Sequence, residues 1–352
     1  MALPRFPPAV EHRILRFACN LPPRLQRLLF GAPSQLDGQT LAPDIQALLR
    51  IAALARSDSL AEGATVSDAR THRRYEAEVV AARPRPRMAR VEQLEIPGPA
   101  GRIPARLFVP PSTAAGPLPL LVYYHGGGWV IGDLETHDAP CRFLAAHSGA
   151  QVLAVDYRLA PEHPFPAAFE DACAAYAWAT GYPDDPPLAV DRVAVGGDSA
   201  GANLAAAVCL QARNGGMPAP AMQLLIYPIA ECSRQLPSRD LFREGFLLTR
   251  RDMDYFEDRY LPAGTDRSDP RVSVLQAEDL SGLPPAYLAT AGFDPLRDEG
   301  EAYAECLREA GVPVALRRHS GLVHTFANLT AICPSARQAM LEAAGALRMG
   351  LG

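Results

Sequence analysis

The sequence predicts an α/β fold, a mostly parallel sheet with helices on both faces. Two observations carry that expectation. Short, nearly continuous apolar runs recur at Leu120 to Tyr124, Val152 to Val155, Val193 to Val195, Leu224 to Tyr227, Ala286 to Thr290 and Val314 to Arg317. Helix-forming stretches separate them. Strands apolar on both sides belong inside a sheet covered on both sides, and parallel neighbours need crossovers of this kind.

The remaining elements follow in chain order. Residues 1–88 are Arg-rich and helical in pattern, broken by Pro and Gly. Residues 9–30 read as one or two helices around Pro22-Pro23, and Asp44 to Arg56, opened by Pro43, is the clearest amphipathic helix. Arg83 to Arg87 alternates Arg and Pro and reads as a linker. Val91 to Ile96 and Ile103 to Val109 flank a Gly/Pro turn and predict a hairpin. From Ile229 to Pro285 the strand–helix alternation is interrupted, with helix expected over Thr249 to Arg259. The domain expectation is therefore an N-terminal helical segment over 1–88 and a sheet-bearing domain over 89–352. An insertion near 229–285 would join the N-terminal helices as a lid over one end of the sheet.

The chain has 352 residues, of which 48% are hydrophobic and 21% charged. At about 150 residues per domain this allows roughly two domains, or one large domain with a lid. A core of this size needs no disulfide or metal support. Net charge is −5, so neither a nucleic-acid footprint nor a polybasic patch follows from the total. All 34 basic residues are arginine. With no lysine, P-loop, Schiff-base and Ser-Lys chemistries are excluded within these residues.

The seven cysteines are scattered without a C-x-x-C, which fits buried thiols in a reducing compartment. The eight histidines form no metal-ligand spacing, so neither a metal nor another cofactor is expected. Arg5, Glu11, Arg13, Arg16, Arg24 and Arg27 interrupt any signal-like apolar stretch, and a cytoplasmic location is expected. The charge-free run from Leu107 to Gly132 holds four Pro and five Gly, too many breakers for a membrane helix.

Gly197-Asp198-Ser199-Ala200-Gly201 fits G-x-S-x-G between the apolar run ending at Gly196 and the helix former Ala202 to Leu210. Strand, tight turn and helix are what a nucleophile elbow requires. The turn thrusts the Ser hydroxyl outward, and the helix start directs N–H groups toward developing negative charge. The plainer alternative is a Gly-rich turn with a capping Ser. His125-Gly126-Gly127-Gly128-Trp129 follows the strand Leu120 to Tyr124. Three consecutive glycines let amides converge on a carbonyl oxygen, with the N–H of Ala200 completing the set. A phosphate loop is the alternative, disfavoured by the missing Lys and G-x-G-x-x-G.

A Ser hydroxyl needs a positioned base. Hydrolases built on such an elbow run Ser, then Asp or Glu, then His. Only His319 and His324 follow Ser199. His324, past Gly321 on a loop, is favoured over His319 at the expected strand end. Asp294, just after the run Ala286 to Thr290, is favoured as the acid over Asp298 in the next helix; its plainer role is an N-cap. Arg158, Glu162 and Asp198 are expected to orient the loop after Asp156 by ion pairs. Trp129 either lines a pocket or packs under the lid, and Trp178 is expected in the core.

Four ordered motifs carry a family resemblance: His125 to Trp129, Asp156-Tyr-Arg-Leu-Ala-Pro-Glu-His-Pro-Phe-Pro166, Gly197 to Gly201 and Asp294-Pro-Leu-Arg-Asp-Glu-Gly300. From about Leu36 to Leu347 the chain resembles the hormone-sensitive-lipase-like bacterial carboxylesterases of the α/β-hydrolase superfamily. The resemblance implies a mostly parallel eight-stranded sheet with a helical cap. It implies Ser199, Asp294 and His324 as catalytic residues and Gly127, Gly128 and Ala200 as oxyanion donors. The expected activity is hydrolysis of short- to medium-chain acyl esters, with a small-molecule ester as partner and a homodimer compatible with it. An amidase, lactonase or lipase on the same site, or a ligand-binding member of the fold, are the alternatives. Two departures stand out: Thr325 where Gly often follows the His, and Ala202 where a further Gly often follows the elbow.

Overall fold

In this computed structural model the described residues are 6–55, 59–61, 65–81, 83–112, 116–181 and 192–352. Four helices open the chain: α1 (Pro8–Cys19), α2 (Pro23–Phe30), α3 (Pro43–Ala55) and α4 (Val66–Val80). The ambiguity around Pro22-Pro23 resolves into two helices, each begun by proline, whose missing N–H costs nothing in a first turn. Arg56, expected to end α3, lies outside the described residues. A short ribbon, β1 (Gln35–Leu36) with β2 (Gln39–Thr40), sits between α2 and α3.

The main sheet has eight strands: β3 (Arg90–Gly98), β4 (Gly101–Val109), β5 (Leu120–Tyr124), β6 (Gln151–Val155), β7 (Val193–Asp198), β8 (Gln223–Ile226), β9 (Ala286–Phe293) and β10 (Val314–Val323). Their order is β10-β9-β8-β7-β5-β6-β4-β3. The β3–β4 hairpin and the β4–β6 pair are antiparallel, and every other pair is parallel. The α/β-hydrolase expectation of a mostly parallel eight-stranded sheet is met.

Strand periodicity builds two cores. Leu120, Val122 and Tyr124 face one, with α6 (Ala167–Thr180), α7 (Ala200–Gly215) and α10 (Arg297–Glu309). Leu121 and Tyr123 face the other, with α5 (Asp138–Ser148) and α11 (Pro334–Leu351). Trp178 packs at the margin of the first, half-buried. The chain runs from β5 outward to β6, then returns to the other side of β5 to lay down β7. At such a switch point the loops leaving the two carboxyl ends diverge and open a crevice. The glycine triplet leaves β5 here and Ser199 leaves β7.

Between β8 and β9 the chain forms α8 (Pro237–Leu241), α9 (Arg250–Tyr260) and a short 3-10 turn at Val274–Gln276. No helix among the described residues is long and apolar enough to cross a membrane.

Candidate active site

Ser199 has φ 55° and ψ −120°, a conformation that side-chain-bearing residues rarely adopt. Such backbone costs on the order of 1–3 kcal/mol and persists only where its surroundings enforce it. Here the Ser199 N–H donates to the Ile226 carbonyl at 2.9 Å, tying the turn to β8. Glycine is obligatory on both sides. A Cβ on Gly197 would lie 2.4 Å from the Tyr124 carbonyl oxygen, and one on Gly201 only 1.9 Å from it.

Three side chains from separate segments meet at this turn. His324 Nε2 lies 3.0 Å from Ser199 Oγ. His324 Nδ1 lies 2.8 Å from Asp294 Oδ2. Asp294 is wholly buried, and its other oxygen accepts the Leu296 N–H at 2.9 Å, which fixes the carboxylate plane. The capping role and the His contact thus coexist on one side chain. The helix itself, α10, starts at Arg297.

The rejected alternatives sit elsewhere. Asp298 accepts from the Ser238 N–H and Arg297 Nε, both at 2.8 Å, and so braces α8. His319 lies within β10, edge-on to Phe326. The sequence suggested a strand ending near Arg317 with His324 on a loop beyond it. In fact β10 runs to Val323, with a register irregularity between His319 and Val323, and His324 directly follows the strand. Thr325 then takes φ 67°, which explains why a glycine would suit that position.

Asp198 requires a correction. It does not orient the loop after Asp156, where Arg158 pairs instead with Asp171 at 2.8 Å and Glu162 with Arg70 at 2.7 Å. Asp198 Oδ1 accepts from Tyr123 Oη at 2.7 Å and from the Gly126 N–H at 3.0 Å, and His137 Nε2 stands 3.3 Å away. Burial pushes this carboxyl up, but His137 and these hydrogen bonds outweigh it and hold it well below the carboxylate range. The Gly126 amide is thereby occupied. Among the described residues, the amides of Gly127, Gly128 and Ala200 have no protein acceptor. Gly127 (φ 123°) and Gly128 (φ 58°) both need glycine, since a Cβ would strike the Ile131 carbonyl at 2.1 Å and the Phe256 ring at 2.3 Å.

The cleft at Ser199 is lined mainly by apolar groups: Trp129, Ile229, Leu248, Met253 and Phe256, with Leu60 from the N-terminal segment. Trp129 both lines it and stacks on Tyr260 of α9 at 4.4 Å.

A model of the alpha/beta hydrolase fold family matches residues 121–328. The chain belongs to the α/β-hydrolase family. It falls in the hormone-sensitive-lipase-like branch that its motifs indicate. This α/β-hydrolase is 48% identical to the carboxylic ester hydrolase LipN of Mycobacterium tuberculosis over 339 residues, 94% of this chain and 89% of that protein. It is 43% identical to the carboxylesterase NlhH of the same organism, covering 71% of this chain and 79% of that one. Among solved structures, an esterase of Pyrobaculum calidifontis superposes with a TM-score of 0.81 at 39% identity, covering 89% of this chain and all of that one.

Several residues of this α/β-hydrolase that sequence reasoning passed over also shape the cleft. Arg239 lines it while buried against Glu299 (2.8 Å) and Glu257 (3.0 Å). Asp252 joins two distant segments: one oxygen caps α9 through Thr249, and the other accepts from Ser59 Oγ at 2.6 Å and the Ala61 N–H at 3.0 Å. The Thr249-x-x-Asp252 capping box was a legible signal for the helix end. Nothing local in the sequence announced the partner around residue 60.

His125 behind the glycine triplet supplies a pH-dependent term. Burial, then His137, lowers its pKa from 6.5 to about 4. Between those values the unfolded chain binds the proton and the folded chain does not, so stability falls as pH falls. From pH 6.5 to 5 this group alone should remove ~2 kcal/mol. Asp156, pushed up to about 6 by burial and Asp133, works in the opposite sense. Comparing urea unfolding of wild type and His125→Gln at pH 7 and 5 isolates the histidine. The variant should lose less stability on acidification, and equal losses would exclude the effect.

Proposed function

We propose that this protein is a serine carboxylesterase acting through an acyl-enzyme at Ser199. The observation that carries the reading is the unbroken contact chain from Ser199 Oγ through His324 to Asp294, at 3.0 and 2.8 Å. His324 Nε2 takes the hydroxyl proton as Ser199 Oγ attacks the ester carbonyl. Asp294 holds the Nδ1–H tautomer and stabilises the imidazolium without itself taking the proton. The tetrahedral oxyanion meets the amides of Gly127, Gly128 and Ala200. As the intermediate collapses, His324 returns the proton to the leaving alcohol. Water activated by the same imidazole then releases the acid and restores Ser199.

In this reading residues 1–88 and the insertion near 229–285 form a cap over the carboxyl edge of the sheet. Leu60 on one side and Met253 and Phe256 on the other support it, since both segments line the cleft. The apolar lining between two covering segments favours short- to medium-chain acyl groups. The reading also includes a cytoplasmic location and is compatible with a homodimer.

The test is turnover of p-nitrophenyl esters together with organophosphate labelling. One label per chain, mapped to Ser199, with ester turnover is expected. Labelling without turnover would point to a binding protein, and faster turnover of anilides or lactones than of esters would move the activity to those classes. Met253→Ala should raise kcat/KM for octanoyl relative to butanoyl esters by roughly tenfold, because it removes bulk from the cleft wall. An unchanged chain-length profile would show that Met253 does not bound the acyl group.

A further inference from the structure

The two N-terminal helices present apolar faces that nothing among the described residues covers. Val10, Ile14 and Phe17 recur at helical spacing on α1, as do Leu25, Leu28 and Leu29 on α2. These six are among only eleven large apolar side chains exposed in the described residues, with Phe17 at 71% and Leu28 at 78%. The opposite faces are pinned down. His12 Nδ1 lies 2.8 Å from the Val79 carbonyl, Gln26 Nε2 donates to the Cys19 carbonyl at 2.8 Å, and Asn20 Nδ2 donates to the Ile332 carbonyl at 2.9 Å. The apolar residues are therefore held outward by the packing of the helices.

The charge on these helices is one-sided. Arg13, Arg16, Arg24 and Arg27 are all exposed, and Glu11 is the single acid of the pair. The chain as a whole carries −5, so the local excess runs against the total. Among the described residues none of the four arginines has an ion-pair partner.

We infer that α1 and α2 dock the protein on an anionic phospholipid surface, lying in the interface with their apolar residues among the acyl chains. Apolar side chains beside arginines on a short helix fit the boundary between headgroups and hydrocarbon. At twelve and eight residues the helices are far too short to span a bilayer. A twofold contact with a second copy would set arginine against arginine with little acid to compensate, whereas acidic headgroups neutralise all four. Docking is independent of the ester chemistry.

The test is flotation of the full chain with vesicles of phosphatidylcholine and phosphatidylglycerol, beside vesicles of phosphatidylcholine alone. Wild type should float with the anionic vesicles and release at high salt. Phe17→Asp combined with Leu28→Asp should weaken partitioning roughly tenfold or more. That variant should keep its thermal unfolding midpoint, because both positions are exposed. Arg24→Gln with Arg27→Gln should weaken binding to anionic vesicles specifically. Failure to float, equal binding to neutral vesicles, or undiminished binding by the aspartate variant would overturn the inference. Loss of a dimer in the aspartate variant, seen by light scattering and without vesicle binding by wild type, would assign the face to a second copy instead.

Discussion

Ser199→Ala is expected to lower kcat/KM for p-nitrophenyl butanoate by roughly 10⁴- to 10⁶-fold, with no loss of folded protein. The substitution removes one oxygen, and alanine accepts the existing backbone as well as serine does. It deletes the atom 3.0 Å from His324 Nε2 that the proposed reaction uses as nucleophile. His324→Ala should cost a comparable factor, and the double variant little more than either alone, because the two groups act as a unit. The measurement is steady-state hydrolysis alongside circular dichroism. Residual activity above about one per cent of wild type, or multiplicative losses in the double variant, would place the chemistry elsewhere.

The largest effect on stability is expected at Gly201. It sits in the first turn of α7 where the helix presses against the end of β5. A Cβ there would lie 1.9 Å from the Tyr124 carbonyl oxygen and 2.6 Å from that of His125, both backbone atoms with no side-chain freedom to yield. Gly201→Ala must push α7 away from the sheet, shifting Ser199 and Ala200 with it. Overpacking of this kind should cost ~3 kcal/mol or more and lower Tm by about 5 °C or more. Gly345→Ala is the control. Gly345 lies within α11 with nothing within 4 Å of its would-be Cβ, so alanine should stabilise by about 0.5–1 kcal/mol. Equal midpoints for the two variants would show that the helix–sheet contact at Gly201 is not tight.

Both expectations start from residues visible in the linear chain, but they differ in how far the chain alone leads. The elbow motif was legible because its demands are local: glycines where backbone approaches backbone, and a serine between strand and helix. The proposed order of nucleophile, acid and base came from the succession Ser, then Asp or Glu, then His, that hydrolases with such an elbow share. Asp294 was preferred because it ends a strand, and the structure places it within reach of His324. The extent of β10 was less legible. Arg317, Arg318, His319 and Ser320 look like a strand's end by composition, yet edge-strand pairing with β9 carries the chain on to Val323. Neighbouring backbone decides that, and polarity does not.

Asp198 illustrates the same division. As the x of G-x-S-x-G it reads as a carboxylate that orients the loop after Asp156 by ion pairs. Its actual partners, Tyr123, Gly126 and His137, come from β5 and the segment after it. A buried carboxylate takes whatever donors the packing delivers, and short-range pattern cannot name them. The amino-acid sequence by itself determined the strand–helix alternation and the glycine-lined turns, because each rests on the geometry of a few consecutive residues. Tertiary structure alone decided which amides stay unpaired, how α9 and the residue-60 segment share Asp252, and which apolar faces remain uncovered. Those depend on segments far apart in the chain converging, and the free energy of that convergence is spread over the whole core.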